Sequence, residues 1–128
     1  AHAGIAPARL IIGGKSMGGR IASLIADDTR VAGLVCLGYP FHPPGRPERL
    51  RTAHLSGLHT PALICQGERD PFGNRGEVSG YALGGAVQLH WLQGGDHDFK
   101  PRKADARTWG DNLDAAAAAV AAFAAGLR

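Results

Sequence analysis

The segment Ala8-Arg9-Leu10-Ile11-Ile12-Gly13-Gly14-Lys15-Ser16-Met17-Gly18-Gly19-Arg20 decides the fold. An apolar run, Leu10 to Ile12, leads straight into Gly14-Lys15-Ser16-Met17-Gly18, and a helix-periodic stretch with Ile21, Leu24 and Ile25 on one face follows. The pattern G-x-S-x-G is common by chance, but between a strand and a helix it describes a sharp turn that strains its central residue. Ser16 then stands at a helix N-terminus with its hydroxyl exposed, and the Met17 N–H faces the oxygen of a bound acyl group. Small residues two before and two after the serine are expected to be needed to avoid backbone clashes. A phosphate-binding loop also puts Gly-Lys-Ser after a strand, but it requires glycine where this chain has Arg9, so the spacing rejects it. An idle serine in a glycine-rich turn stays open on this segment alone.

Working outward, four apolar runs predict strands buried on both faces: Arg9 to Gly13, Val31 to Gly38, Ala62 to Gly67, and Val87 to Leu92. Helical segments alternate with them, over Met17 to Ala26, Pro47 to Leu58 and, more weakly because of Gly76 and Gly80, Arg75 to Leu83. A last helix from about Gly110 to Leu127 has Trp109, Leu113, Ala116, Val120, Phe123 and Leu127 as its apolar stripe, and its alanine run favours helix and close packing. Alternating strands and helices predict an α/β fold, a doubly wound and mostly parallel sheet of about four strands with right-handed crossovers.

The 128 residues suffice for one domain with a core. A net charge of +3 is mild, and no nucleic-acid reader motif accompanies the basic clusters Arg46, Arg49, Arg51 and Lys100, Arg102, Lys103, so no nucleic-acid partner is expected. No run is long and apolar enough to cross a membrane. Cys36 and Cys65 each lie inside an apolar run, as small buried hydrophobes rather than a disulfide scaffold or a metal site. These features predict a cytoplasmic protein with neither metal nor cofactor. The opening AHAGIAPAR reads as a helix end and a loop into a strand, so the chain is expected to be the C-terminal part of something longer.

A serine becomes a nucleophile only with a base, and the base needs an orienting carboxylate. In an open parallel sheet such groups collect beyond the carboxyl ends of the strands. After PALICQG comes Glu68-Arg69-Asp70-Pro71, and after VQLHWLQ comes Gly94-Gly95-Asp96-His97-Asp98. The order Ser16, Asp70, His97 is serine–acid–histidine, with acid and base one strand apart. Glu68 is a rival acid, with a surface pair to Arg69 as its expected fate. His42, in the loop after the second strand, is the runner-up histidine near the substrate; His54 and His90 read as packing or surface residues. Asp96 and Asp98 flank His97 and are expected to tune it or cap its loop. Lys15 reads either as a solvated side chain or as an attractor of an anionic substrate, helped by Lys100, Arg20 or Arg69. Tyr39, Phe41 and Pro43 are expected to wall an acyl pocket, with His42 beside it.

Together, GGKSMGGR, LGYPFHPPGRPERLRTAHL, QGERDPFG and GGDHDFKPRK resemble the α/β-hydrolase superfamily, in the branch of testis-expressed-protein-30-like and NSL-complex-subunit-three-like domains, distantly similar to dienelactone hydrolases. The resemblance spans nearly the whole chain. It implies a hydrolase of ester or thioester acyl bonds, with Ser16 as nucleophile, Asp70 as acid, His97 as base and a small acyl compound as substrate. Some members of this branch are thought to be non-enzymatic scaffolds, which is the rival reading. Such proteins carry, before the nucleophile strand, further strands and a His-Gly loop that donates the second oxyanion N–H. No stretch here corresponds to that segment. Residues 1–128 are therefore expected to be the C-terminal portion of the domain, with the first strand as an open edge that a second copy or the preceding segment covers.

Overall fold

The computed structural model describes residues 4–127. Four strands, β1 (Ile11–Lys15), β2 (Gly33–Leu37), β3 (Ala62–Gly67) and β4 (Val87–Leu92), pair in that order and all in parallel. Helix α1 (Met17–Thr29) links β1 to β2, the one-turn α2 (Arg75–Val78) lies between β3 and β4, and α3 (Trp109–Gly126) follows β4. Because every strand runs the same way, the loops that follow them open at one edge of the sheet.

Side-chain alternation on the two central strands builds a layer on each face. Leu34, Cys36, Ala62 and Ile64 pack with Ala22 and Ala26 of α1 and with Tyr39, Phe41, Leu55, Leu58 and Val78. Val35, Leu63 and Cys65 point the other way, onto Ala116 and Phe123 of α3, with Leu92 and Phe99. Each fully buried Leu, Ile or Phe contributes about 1.5–3 kcal/mol, so these two layers hold the loop-bearing edge rigid. Burial pushes the Cys36 thiol up to about 12 and Cys65 up to about 11, so both stay protonated and inert.

Several expectations from the sequence need correction. The Ile21–Leu24–Ile25 face of α1 is the outward one, 54%, 49% and 46% exposed, while Gly19, Ala22, Ser23 and Ala26 face the sheet. Helix and sheet approach so closely that only small residues fit between them. β1 runs two residues later than expected and is an edge strand in the described residues, with Ile11 partly exposed. The helix expected over Pro47 to Leu58 is instead a chain of turns with one 3₁₀ turn, Leu55–Gly57. Tertiary bonds take its backbone, because Arg51 N–H donates to Phe41 O and Arg51 O accepts the Tyr39 hydroxyl. The Arg75–Leu83 helix shrinks to the single capped turn of α2. On α3, Trp109 and Leu113 lie outside the buried stripe and Asn112 lies inside it.

Candidate active site

Ser16 sits between β1 and α1 with φ 52° and ψ −120°. A non-glycine residue held there stores about 1–3 kcal/mol of strain. Two hydrogen bonds hold it in place: Ser16 N–H donates to Leu37 O at 2.8 Å, and Ser16 O accepts from Arg20 N–H at 3.1 Å. The turn is tight enough that a Cβ on Gly14 would come within 2.7 Å of Gly18 C, and one on Gly19 within 2.7 Å of Gly14 O. Gly18 itself faces open space, so the steric requirement holds at Gly14, two before the serine, but passes from Gly18, two after it, to Gly19. Met17 opens α1, so its N–H has no acceptor within the helix.

His97 lies in the loop after β4. Asp96 caps that loop, its carboxylate accepting Asp98 N–H at 2.8 Å and Lys100 N–H at 3.0 Å. The Phe72 ring packs on the imidazole with centroids 4.3 Å apart. Gly38, at φ 70°, leaves room beside the ring; a Cβ there would lie 3.3 Å from His97 Nδ1. Asp70 lies in the turn after β3, fully buried, with its Oδ1 accepting Phe72 N–H at 2.8 Å.

These three side chains meet. His97 Nε2 is 2.9 Å from Ser16 Oγ, and His97 Nδ1 is 2.8 Å from Asp70 Oδ2. A carboxylate only accepts, so Nδ1 carries the proton towards Asp70 and Nε2 is left as acceptor for the Ser16 hydroxyl. The arrangement can take a proton from Ser16 and stabilise the imidazolium that results.

A family model for the alpha/beta hydrolase domain matches residues 2–125. The chain belongs to that family. Among solved structures it is similar to an alpha-beta serine hydrolase homologue from Coxiella burnetii, with a TM-score of 0.62 and 21% identity over 88% of this chain and 48% of that one. It is also similar to the esterase domain of a Rhodothermus marinus protein, with a TM-score of 0.61 and 12% identity over 89% of this chain and 60% of that one. At such identities the likeness is one of fold, and the chain spans about half the length of the structures it matches.

Other residues singled out in the sequence of this hydrolase domain go elsewhere. Tyr39 and Phe41 are fully buried beneath the sheet end, their rings 4.8 Å apart, and so belong to the core instead of walling an open pocket. His42 is also buried, with Nδ1 2.8 Å from Pro43 O and Nε2 3.0 Å from Glu77 Oε1, so both ring nitrogens are occupied. Burial opposes its charging, but the Pro43 carbonyl and the Glu77 carboxylate outweigh that and raise its pKa. Lys15 is ion-paired with Asp98, which holds the Asp98 carboxyl below its usual range. Glu68 pairs with Arg75 at 2.7 Å and accepts Gly94 N–H, not Arg69. His54 bonds Ser23 Oγ at 2.8 Å on the far side of α1 from solvent. Lys15 and Asp98, with the apolar Leu37, Phe99, Trp109 and Leu113, line a recess of about 360 Å³. Among the described residues, no group of three or more His, Cys, Asp or Glu is arranged to hold a metal ion. Sequence reasoning missed Phe72 and Gln66; a lone amide ending the otherwise apolar run Ala62 to Cys65 was the signal for the second.

Proposed function

We propose that this domain is a serine hydrolase of ester or thioester bonds in small acyl compounds, with Ser16 as nucleophile, His97 as base and Asp70 as acid. The observation that carries the reading is the unbroken hydrogen-bond chain from Ser16 Oγ through His97 to Asp70, on a serine held at positive φ. His97 Nε2 takes the Ser16 proton as Oγ attacks the acyl carbon. The Met17 N–H donates to the oxyanion, and Asp70 stabilises the imidazolium. Collapse expels the alcohol or thiol, which leaves with the proton from Nε2. Water, deprotonated by the same nitrogen, then cleaves the acyl-enzyme. The resemblance of the four sequence motifs supports the branch of testis-expressed-protein-30-like and NSL-complex-subunit-three-like domains, and the two buried free thiols suit the cytoplasm.

A fluorophosphonate probe tests the reading, because it labels only an activated serine. Labelling at Ser16, with loss of nearly all of it in Ser16→Ala and His97→Ala, is the expected result. A folded chain that stays unlabelled favours a non-catalytic interaction module.

A further inference from the structure

Gln66 ends the apolar run of β3 and is fully buried. A buried amide must have its donors and acceptor satisfied. Its Oε1 accepts Tyr39 N–H at 2.8 Å, while its Nε2 lies 3.1 Å from Tyr39 O, 3.1 Å from Gly73 O and 3.2 Å from Asp70 Oδ2. The orientation is forced, since one end faces a donor and the other faces only acceptors. One side chain thereby joins the segment after β2 to the turn after β3. The Asp70 oxygen it reaches is the one that accepts His97 Nδ1–H, while the other Asp70 oxygen accepts Phe72 N–H. The carboxylate cannot turn about its Cβ–Cγ bond without giving up one of these donors.

We propose that Gln66 is a positioning residue of this site. It fixes the rotation of the Asp70 carboxylate and so aims the His97 ring at Ser16. The inference rests on the triad reading above. It differs from a purely structural role because the amide acts on the one oxygen that holds the base.

Gln66→Glu keeps the shape and removes a donor from an end that faces only oxygen acceptors. Two readouts separate the possibilities: the fluorophosphonate labelling rate per folded molecule, and the downfield proton resonance of His97 Nδ1–H, identified by its absence in His97→Ala. Labelling about tenfold to a hundredfold slower, with the resonance moved, is expected. A folded variant that labels at the native rate with an unmoved resonance overturns the inference. If the native chain does not label but the resonance moves in the variant, the catalytic reading fails while the Gln66 hold on Asp70 stands. Should the variant not fold, the native protein decides: the Gln66 side-chain amide resonances should shift with the His97 titration. Amide resonances that stay fixed while His97 titrates overturn the proposal.

Discussion

Ser16 occupies a backbone conformation that serine avoids, and the two residues before it do different work. Gly14 gives the turn its space, whereas Lys15 reaches out to Asp98, the residue after His97. That pair links the two loops bearing Ser16 and His97, and both side chains are more than half exposed, 59% and 54%. Exposed pairs contribute little to stability, so its effect belongs to the charge that an incoming substrate meets. Asp98→Asn should therefore free Lys15. We expect KM for a carboxylate-bearing p-nitrophenyl ester to fall a few-fold relative to a neutral ester of the same length, with stability nearly unchanged. An unchanged ratio of the two KM values would mean that Lys15 does not face the substrate. Ser16, Asp70 and His97 were legible in the sequence because each stands one turn beyond an apolar strand. Tyr39, Phe41 and His42 stand beyond a strand as well, but a loop that folds back under the sheet carries them inside.

At the scale of elements, α1 separates what glycine does for conformation from what it does for packing. Gly18 and Gly19 are adjacent, yet a Cβ on Gly18 meets nothing, while one on Gly19 would come 2.7 Å from Gly14 O and 3.1 Å from Cys36 Cβ. Gly18→Ala should be neutral or stabilise by up to about 1 kcal/mol through helix propensity. Gly19→Ala should cost about 1–3 kcal/mol by forcing α1 off the sheet. Urea unfolding of the two variants checks this, and equal midpoints would contradict the close helix–sheet approach. The turn α2 carries a second consequence. Its Glu77 completes the Asn74 capping box and also accepts from His42, pinning the loop after β2. Burial works against the Glu77 charge, but the His42 hydrogen bond leads the effects that leave its pKa below the usual 4.5, while His42 is held above 6.5. The Glu77 contribution is present above 4.5 and lost as pH falls through its folded value; the His42 contribution is present below 6.5 and lost as pH rises through its folded value. The difference in thermal midpoint between the native chain and Glu77→Gln should thus be greatest between 4.5 and 6.5 and shrink on either side. A difference that grows steadily with pH would show that the pair is not ionised.

For the whole molecule, the two sides of the sheet's first strand are unequal. β1 pairs with β2 alone among the described strands, and Ile11, Met17, Ile21, Leu24 and Ile25 on and beside it are each about half exposed. Contiguous apolar surface next to an unpaired strand edge favours association. We expect the 128-residue chain to self-associate through this face, and Ile21→Lys with Leu24→Lys to return it to a monomer in sedimentation experiments. A native chain that sediments as a monomer at the concentrations used for fluorophosphonate labelling would remove the face as an interface.

The sequence by itself determined the parallel α/β architecture, the four strands and the order of Ser16, Asp70 and His97. Those features rest on local apolar runs and on turn residues that act within a few positions. Only the tertiary structure decided which helix face is buried, that Pro47 to Leu58 is not a helix, that Lys15 is paired, and that Gln66 lies behind Asp70. Each of these depends on which distant group claims a backbone hydrogen bond, a charge or a few ångströms of space, and no local pattern records that competition.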